Sequence, residues 1–191
     1  FALSIFFTSL SMTGLVVDDL NMSPIDEIEL FDDELSGKIV VIAPWSAQMQ
    51  DGMENAKNYP YWIDVVSQLS SMGIITVQIG RSGERIIGCD RLLLDQTVDQ
   101  LKDLINNCDT FLSVDSFLPH FSAFYGKKGV VIFGKSDPEI FGHSMHINIL
   151  KSRKYLRPDQ FRWWNDVAYE KEAFVLANEV VNSVIGLLKS S

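Results

Sequence analysis

The sequence predicts an α/β domain built on a parallel sheet, and three observations carry that prediction. From Lys38 onward, short β-branched runs alternate with amphipathic stretches, the pattern of βαβ units. Two of the runs, Thr110–Val114 and Gly129–Phe133, are short and apolar in the manner of buried strands. Polar clusters follow directly: Asp115-Ser116 and then His120 after the first, Gly134-Lys135-Ser136-Asp137-Pro138 after the second. Open α/β sheets bind ligands just beyond the carboxyl ends of their strands, so these clusters mark a site as well as a fold.

The elements follow in order. Lys38–Ala43 reads as the first strand, and Pro44–Asn58 as a long polar loop containing Gly52. Pro60 suits the first turn of a helix over Trp62–Met72, where Ile63, Val66 and Leu69 recur at helical spacing. Gly73 ends that helix, Ile74–Ile79 forms a second strand, and Gly80-Arg-Ser-Gly-Glu84 makes a glycine-rich turn. Leu92–Leu94 is a short third strand, and Thr97 is placed to cap a helix carrying Val98, Leu101, Leu104 and Ile105. After the Thr110–Val114 strand, the His120 helix and the Gly129–Phe133 strand, a last strand is expected at His146–Leu150. Lys151–Arg162 is basic and flanked by aromatics, and Asp166–Leu188 reads as a long final helix.

Composition narrows the function classes. At 191 residues and 47% hydrophobic content the chain can bury one good core with an appendage. The longest apolar runs are far too short to span a bilayer. Phe1–Leu10 lacks a basic region, so it reads as a segment of something longer and not as a signal peptide. The net charge of −9 is concentrated in Asp18, Asp19, Asp26, Glu27, Glu29, Asp32, Asp33 and Glu34, with no Lys or Arg before Lys38. No basic face for nucleic acid is visible, and the acidic stretch reads as a solvated connector. Cys89 and Cys108 are isolated, without zinc or disulfide spacing, and a reducing cytoplasm is the expected compartment.

Several residues admit two readings. Asp115 and Ser116 either cap the helix that follows or leave the amides of Ser116, Phe117 and Leu118 open to an anion at the positive end of the helix dipole. His120, about one turn into that helix, either points back to the same pocket or is a hydrogen-bonded helix histidine. His143 and His146 have no carboxylate or cysteine at ligand spacing and read as structural or exposed. Glu84 can accept from ribose hydroxyls or simply sit in a turn. The turn lacks the three-glycine dinucleotide fingerprint. Lys57 can neutralise a diphosphate or be a solvated surface charge, and Trp163-Trp164 can stack or pack.

Taken in order, Ala43-Pro44-Trp45-Ser46, Lys57-Asn-Tyr-Pro60, Ile79-Gly-Arg-Ser-Gly-Glu84, the Thr97–Cys108 helix, Ser113-Val-Asp-Ser-Phe-Leu-Pro-His120 and Phe133-Gly-Lys-Ser-Asp-Pro138 resemble the carboxyl-terminal half of a family 9 glycosyltransferase. That family includes the ADP-heptose:lipopolysaccharide heptosyltransferases, and the resemblance runs from about Lys38 to Gly142. It implies a Rossmann-like three-layer domain over 38–165, one half of a GT-B arrangement. Residues 1–37 are then an acidic connector or the remnant of a preceding domain, and 166–191 a carboxyl-terminal helix that crosses back toward that domain.

By the same resemblance Lys57 and the Ser116–Leu118 amides face a donor diphosphate, Glu84 the ribose, and Asp115 and His120 the sugar-phosphate region. An ADP-sugar donor, a glycan or protein acceptor and no metal or cofactor are implied. The general base is expected from an amino-terminal domain or partner subunit, which leaves the catalytic residue unassigned here. Lys57→Ala and His120→Ala are expected to weaken binding with little loss of stability. Phe117 stands where the family has glycine, and its ring is expected to crowd the phosphate approach. The alternative is a non-catalytic binding or assembly module that retains the fold.

Overall fold

Strands β1 (Ile39–Ala43), β2 (Ile75–Gly80), β3 (Arg91–Leu94), β4 (Thr110–Val114), β5 (Gly129–Phe133) and β6 (Ile147–Leu150) form one sheet in the order β3-β2-β1-β4-β5-β6. Every neighbouring pair is parallel. The computed structural model describes residues 35–47, 49, 52–162, 164 and 167–190, all within the unit Asp33–Ser191. The acidic stretch up to Glu34, most of the expected connector, lies outside the described residues, as do Trp163 and Asp166.

Between the strands lie α1 (Trp62–Ser71), α2 (Val98–Asn107), α3 (Phe117–Phe124) and the short α4 (Pro138–Phe141), with α5 (Ala177–Lys189) at the carboxyl end. β1, β4 and β5 are buried along their whole length, as strands with helices on both faces must be. Side chains alternate between the faces. Val40, Ile42, Leu112, Val114, Val130 and Ile132 join α1 and α5 in one cluster, while Val41, Phe111, Val131 and Phe133 are equally buried on the opposite face, the side of α3. The result is the three-layer Rossmann-like sandwich the alternation predicts.

Local chemistry places each helix. Thr97 caps α2 as expected, accepting from the Gln100 amide while the Gln100 side chain accepts from the Thr97 amide. In α1 the buried stripe is Trp62, Val65, Val66 and Leu69, and Ile63 is 71% exposed. Val66 and Leu69 are thus buried as expected, and Trp62 and Val65 stand in the stripe in place of Ile63. Trp62 fixes that phase, because its ring is fully buried and its indole N–H donates to the Pro44 carbonyl at 3.0 Å.

The final helix starts at Ala177, well after the expected Asp166. A 3-10 turn at Lys171–Ala173 comes before it, and the extended backbone at Phe174 carries that ring into the core against Tyr59, at 5.8 Å and 79°. Gly134 makes room for it, since a Cβ there would lie 2.5 Å from the ring. α5 packs on α1, β4 and β5 through Val180, Val181 and Val184.

Gly129 at the start of β5 is set by the same kind of close approach, because a Cβ there would collide with the Phe111 ring. Gly129→Ala is therefore expected to destabilise the fold by about 1–3 kcal/mol, read as a lower urea midpoint with an unchanged slope.

Candidate functional site at the strand-order switch

The chain leaves β1 toward β2 on one side and β4 toward β5 on the other, so β1 and β4 flank the switch in strand order, and a crevice opens beyond their carboxyl ends. β4 delivers Asp115 to that crevice, with its side chain 5% exposed. The loop after β1 delivers Lys57, whose Nζ lies 2.7 Å from Asp115 Oδ2. Two asparagines shape the loop. The Asn55 side chain donates to the Ala47 carbonyl at 2.8 Å and accepts from the Lys57 amide at 3.0 Å, and Asn58 Oδ1 accepts from the amide and hydroxyl of Ser46.

A second cation joins them. Trp164 lies between Lys57 Nζ, 4.5 Å from its ring centre, and the Arg157 guanidinium, at 3.8 Å. Arg157 is buried and tied to the Lys135 carbonyl through its amide at 3.1 Å and to the Gln160 carbonyl through its guanidinium. Burial pulls its pKa down, while Asp159 and Asp115 act the other way. Lys57 and Arg157 stand around Asp115, with Asp159 also acting on Arg157, so cations and carboxylates meet in the crevice. Sequence reasoning missed Arg157 as a site residue, and nothing in its local spacing marks it.

Neither Asp115 nor Ser116 caps α3. Ser116 is extended at the N-cap position with no side-chain cap, and its hydroxyl lies 3.3 Å from Ser113 Oγ. Leu118 is buried, whereas Phe117 is 58% exposed and stacks on Phe121, ring centres 5.1 Å apart. The contact is the usual one between aromatic residues one turn apart on a helix.

Glu84 folds its carboxylate over the end of β2, where a Cβ on Gly80 would collide with Oε2. Gly83, with φ of +89°, closes the turn. β1 separates the ends of β2 and β4, so Glu84 and Asp115 emerge about 10 Å apart along the edge. Asp95 closes the same turn from β3 by accepting from the amide and hydroxyl of Ser82, bonds that hold its carboxyl below the usual range.

Of the cluster after β5, Asp137 is structural. It caps α4 through the Glu139 amide at 3.0 Å and holds Arg153 with both oxygens. Lys135 is half-committed, with its ammonium 2.9 Å from Glu170.

His120, His143 and His146, the only histidines in the chain, sit together. His120 Nδ1 is 2.8 Å from His143 Nε2, and His146 Nε2 is 3.0 Å from the Pro119 carbonyl. Among the described residues no group of three or more His, Cys, Asp or Glu side chains could hold a metal. Cys89 and Cys108 are free, and burial pushes both thiols up to about 12, so neither is a thiolate nucleophile. A separate cavity of about 370 Å³ lies between α1 and the 85–87 loop, walled by Trp45, Tyr59, Trp62, Arg85 and Tyr169. Among the described residues no helix is long and apolar enough to cross a membrane.

A parallel sheet in this order, with its charged groups gathered at the switch, defines a Rossmann-like α/β domain. The model of glycosyltransferase family 9 (heptosyltransferase) matches residues 27–155, two thirds of the sequence, and the chain belongs to that family. Solved structures agree in fold. ADP-heptose lps heptosyltransferase II of E. coli superposes with a TM-score of 0.61 at 19% identity, covering 80% of this chain and 47% of that one. A family 9 glycosyl transferase from Veillonella parvula gives 0.64 at 17%, covering 83% and 48%. E. coli heptosyltransferase WaaC with ADP gives 0.55 at 16%, covering 80% and 45%. The chain thus spans about half the length of these structures. No curated protein matches its sequence.

Two predictions follow from the geometry. Because Lys57 is no surface lysine, Lys57→Ala strands a buried carboxylate and is expected to cost about 1–3 kcal/mol, with Asp115→Asn in the same chain recovering part of it; a double-mutant cycle by urea unfolding reads the coupling. Burial holds His146 below its ordinary pKa, with His143 and His120 adding to the effect and the Pro119 carbonyl opposing it. The unfolded chain therefore binds the extra proton first, so stability is full above the unfolded value of about 6.5 and declines as pH falls through the lowered folded value. Denaturation midpoints at pH 7.5 and 5 should show that loss, and His146→Asn should reduce it.

Proposed function

We propose that this domain is the nucleotide-sugar-binding half of a glycosyltransferase that transfers heptose or a related sugar from an ADP-sugar to a glycan or protein acceptor. The observation that carries the reading is the Lys57–Asp115 ion pair at the β1/β4 switch, beside a helix whose first turn no side chain caps. Lys57 and the amides of Ser116, Phe117 and Leu118 bind the donor diphosphate, His120 reaches the sugar-phosphate region, and the Glu84 carboxylate accepts from the ribose hydroxyls. The separation of about 10 Å along the sheet edge suits a nucleoside diphosphate laid from β2 to β4. The names of similar structures support the choice of nucleotide, since one is described as an ADP-heptose heptosyltransferase and another holds ADP.

In such a transfer the acceptor hydroxyl attacks the anomeric carbon, the bond from that carbon to the diphosphate oxygen breaks, and negative charge collects on the departing nucleoside diphosphate. This half supplies the second part of that chemistry. Ammonium and helix amides held in place before the reaction stabilise the leaving charge without reorganising. Removal of the acceptor proton falls to a carboxylate of an amino-terminal domain, in keeping with a chain about half the length of the structures it resembles.

By the resemblance Phe117 stands where the family has glycine, and this favours a second reading in which the domain binds without turnover. A second Rossmann-like half upstream, with an Asp near its first glycine-rich loop, would favour the enzyme. Calorimetric titration with ADP, UDP, GDP and CDP tests the donor reading. ADP is expected to bind tightest, and Lys57→Ala to weaken it about tenfold, the worth of one charged hydrogen bond. A folded sample that binds none of the four overturns the assignment.

A further inference from the structure

The cavity of about 370 Å³ between α1 and the 85–87 loop takes no part in the chemistry above. Ile63 and Ile86 line it and are 71% and 64% exposed, so it opens to solvent, while Tyr59 and Trp62 in its wall are almost wholly buried. The polar atoms of its aromatic rings are spent on backbone. Trp45 Nε1–H donates to the Arg85 carbonyl at 2.8 Å, the Tyr59 hydroxyl to the Val175 carbonyl at 3.1 Å, and Trp62 Nε1–H to the Pro44 carbonyl at 3.0 Å. These three rings therefore offer the space apolar surface alone. Its polar groups come from Glu54, Arg85 and Tyr169. Arg85 Nη2 donates to both oxygens of Glu54, at 3.1 and 2.9 Å, and the guanidinium lies 4.3 Å from the centre of the Trp45 ring, so it is fixed before any ligand arrives. Its Nε and Nη1 have no hydrogen-bond partner among the described residues. Burial, with Glu54 adding and Arg85 opposing, pushes the Tyr169 hydroxyl up to about 12, so it keeps its proton beside that pair.

We propose that this cavity is a carbohydrate subsite for one pyranose ring, its C–H face against the aromatic walls and its hydroxyls on Glu54, Arg85 and Tyr169. A pyranose has an apolar face and a rim of hydroxyls that each donate and accept, and the wall matches both. An acceptor and a donor held as close as Glu54 and Arg85 meet two neighbouring hydroxyls of one ring. The same pair cancels its own charge, which suits a neutral ligand better than a nucleotide or a phosphate. The volume falls in the range of about 300–1,000 Å³ found for small-molecule pockets, and apolar walls with a few fixed polar groups are their usual lining. Trp45 and Glu54 belong to the loop that carries Lys57, Glu54 Oε1 accepts from the Asn58 side chain at 2.5 Å, and Arg85 follows Glu84. The subsite thus shares its loops with the donor crevice and holds one ring of the acceptor glycan. That acceptor role rests on the donor reading above; the sugar site itself does not.

Amide and indole NMR with the methyl glycosides of glucose, galactose and mannose tests the site, since the three differ in which hydroxyl is axial. At least one of them, at tens of millimolar, is expected to shift the amides of Ile63 and Arg85–Ile87 and the Trp45 indole, with Ser116–Leu118 unmoved. Arg85→Gln is expected to weaken that sugar about tenfold, read as loss of the shifts at the same concentration, and Tyr169→Phe about threefold, the worth of a charged and a neutral hydrogen bond. Tyr169→Phe keeps the ring, so it reads the hydroxyl apart from the packing. Absence of shifts at these residues with all three sugars overturns the proposal, and so does a sugar whose affinity neither substitution changes in a folded protein. ADP shifting the cavity residues in place of the sugars makes the cavity a nucleotide pocket and overturns it as well. ADP that leaves Ser116–Leu118 unmoved removes the donor reading alone, and the sugar titrations still decide the cavity.

Discussion

One ion pair closes the crevice that the strand order opens. Lys57 reaches from the loop after β1 to Asp115 at the end of β4, and both are shielded from water. A carboxylate so buried is tolerated only with a cation beside it, so the loop from Pro44 to Asn58 has to be built to present one. Asn55 and Asn58 do that work by tying the loop's backbone to itself. The same ammonium sits over Trp164, whose other contact is the buried Arg157, and Arg157 is in turn anchored to the strand-end residue Lys135. Loop, strand ends and the segment after β6 thus meet at one charged point.

The family and the fold fit that arrangement. The chain belongs to glycosyltransferase family 9, and the structures it superposes on are about twice its length. A half that gathers cations and helix amides at its strand ends is suited to hold the leaving diphosphate, while a reaction at a sugar carbon also needs a base on the acceptor side. On the proposed reading, the cations at the switch serve the donor side and the base belongs to the acceptor side. Asp115 is paired, and Asp137 caps α4 and holds Arg153.

The central strands were legible because burial on both faces leaves a mark in local composition, and all six strands lie within one residue of expectation. The Thr97 cap was legible for the same local reason. What sequence spacing could not show is what the sheet brings together. His143 and His146 lie more than twenty residues beyond His120, and only the parallel pairing of β5 with β6 carries their loop to the start of α3. Arg157 and Trp164 reach the crevice through an irregular segment with no periodicity to read. The phase of α1 turned on Trp62 finding the Pro44 carbonyl, and the late start of α5 on Phe174 filling the space beside Gly134. Both are tertiary contacts that override local spacing. Lys57 read as either surface or site for want of its partner, fifty-eight residues away.

The central claim is that an anionic nucleotide engages the β1/β4 switch. Backbone amide NMR with stepwise addition of ADP tests it most directly. The account predicts that the largest shifts fall on Ser116, Phe117, Leu118 and Lys57, with a smaller group at Gly80–Glu84. Shifts confined to the cavity walled by Trp45, Arg85 and Tyr169, with the start of α3 unmoved, would contradict it.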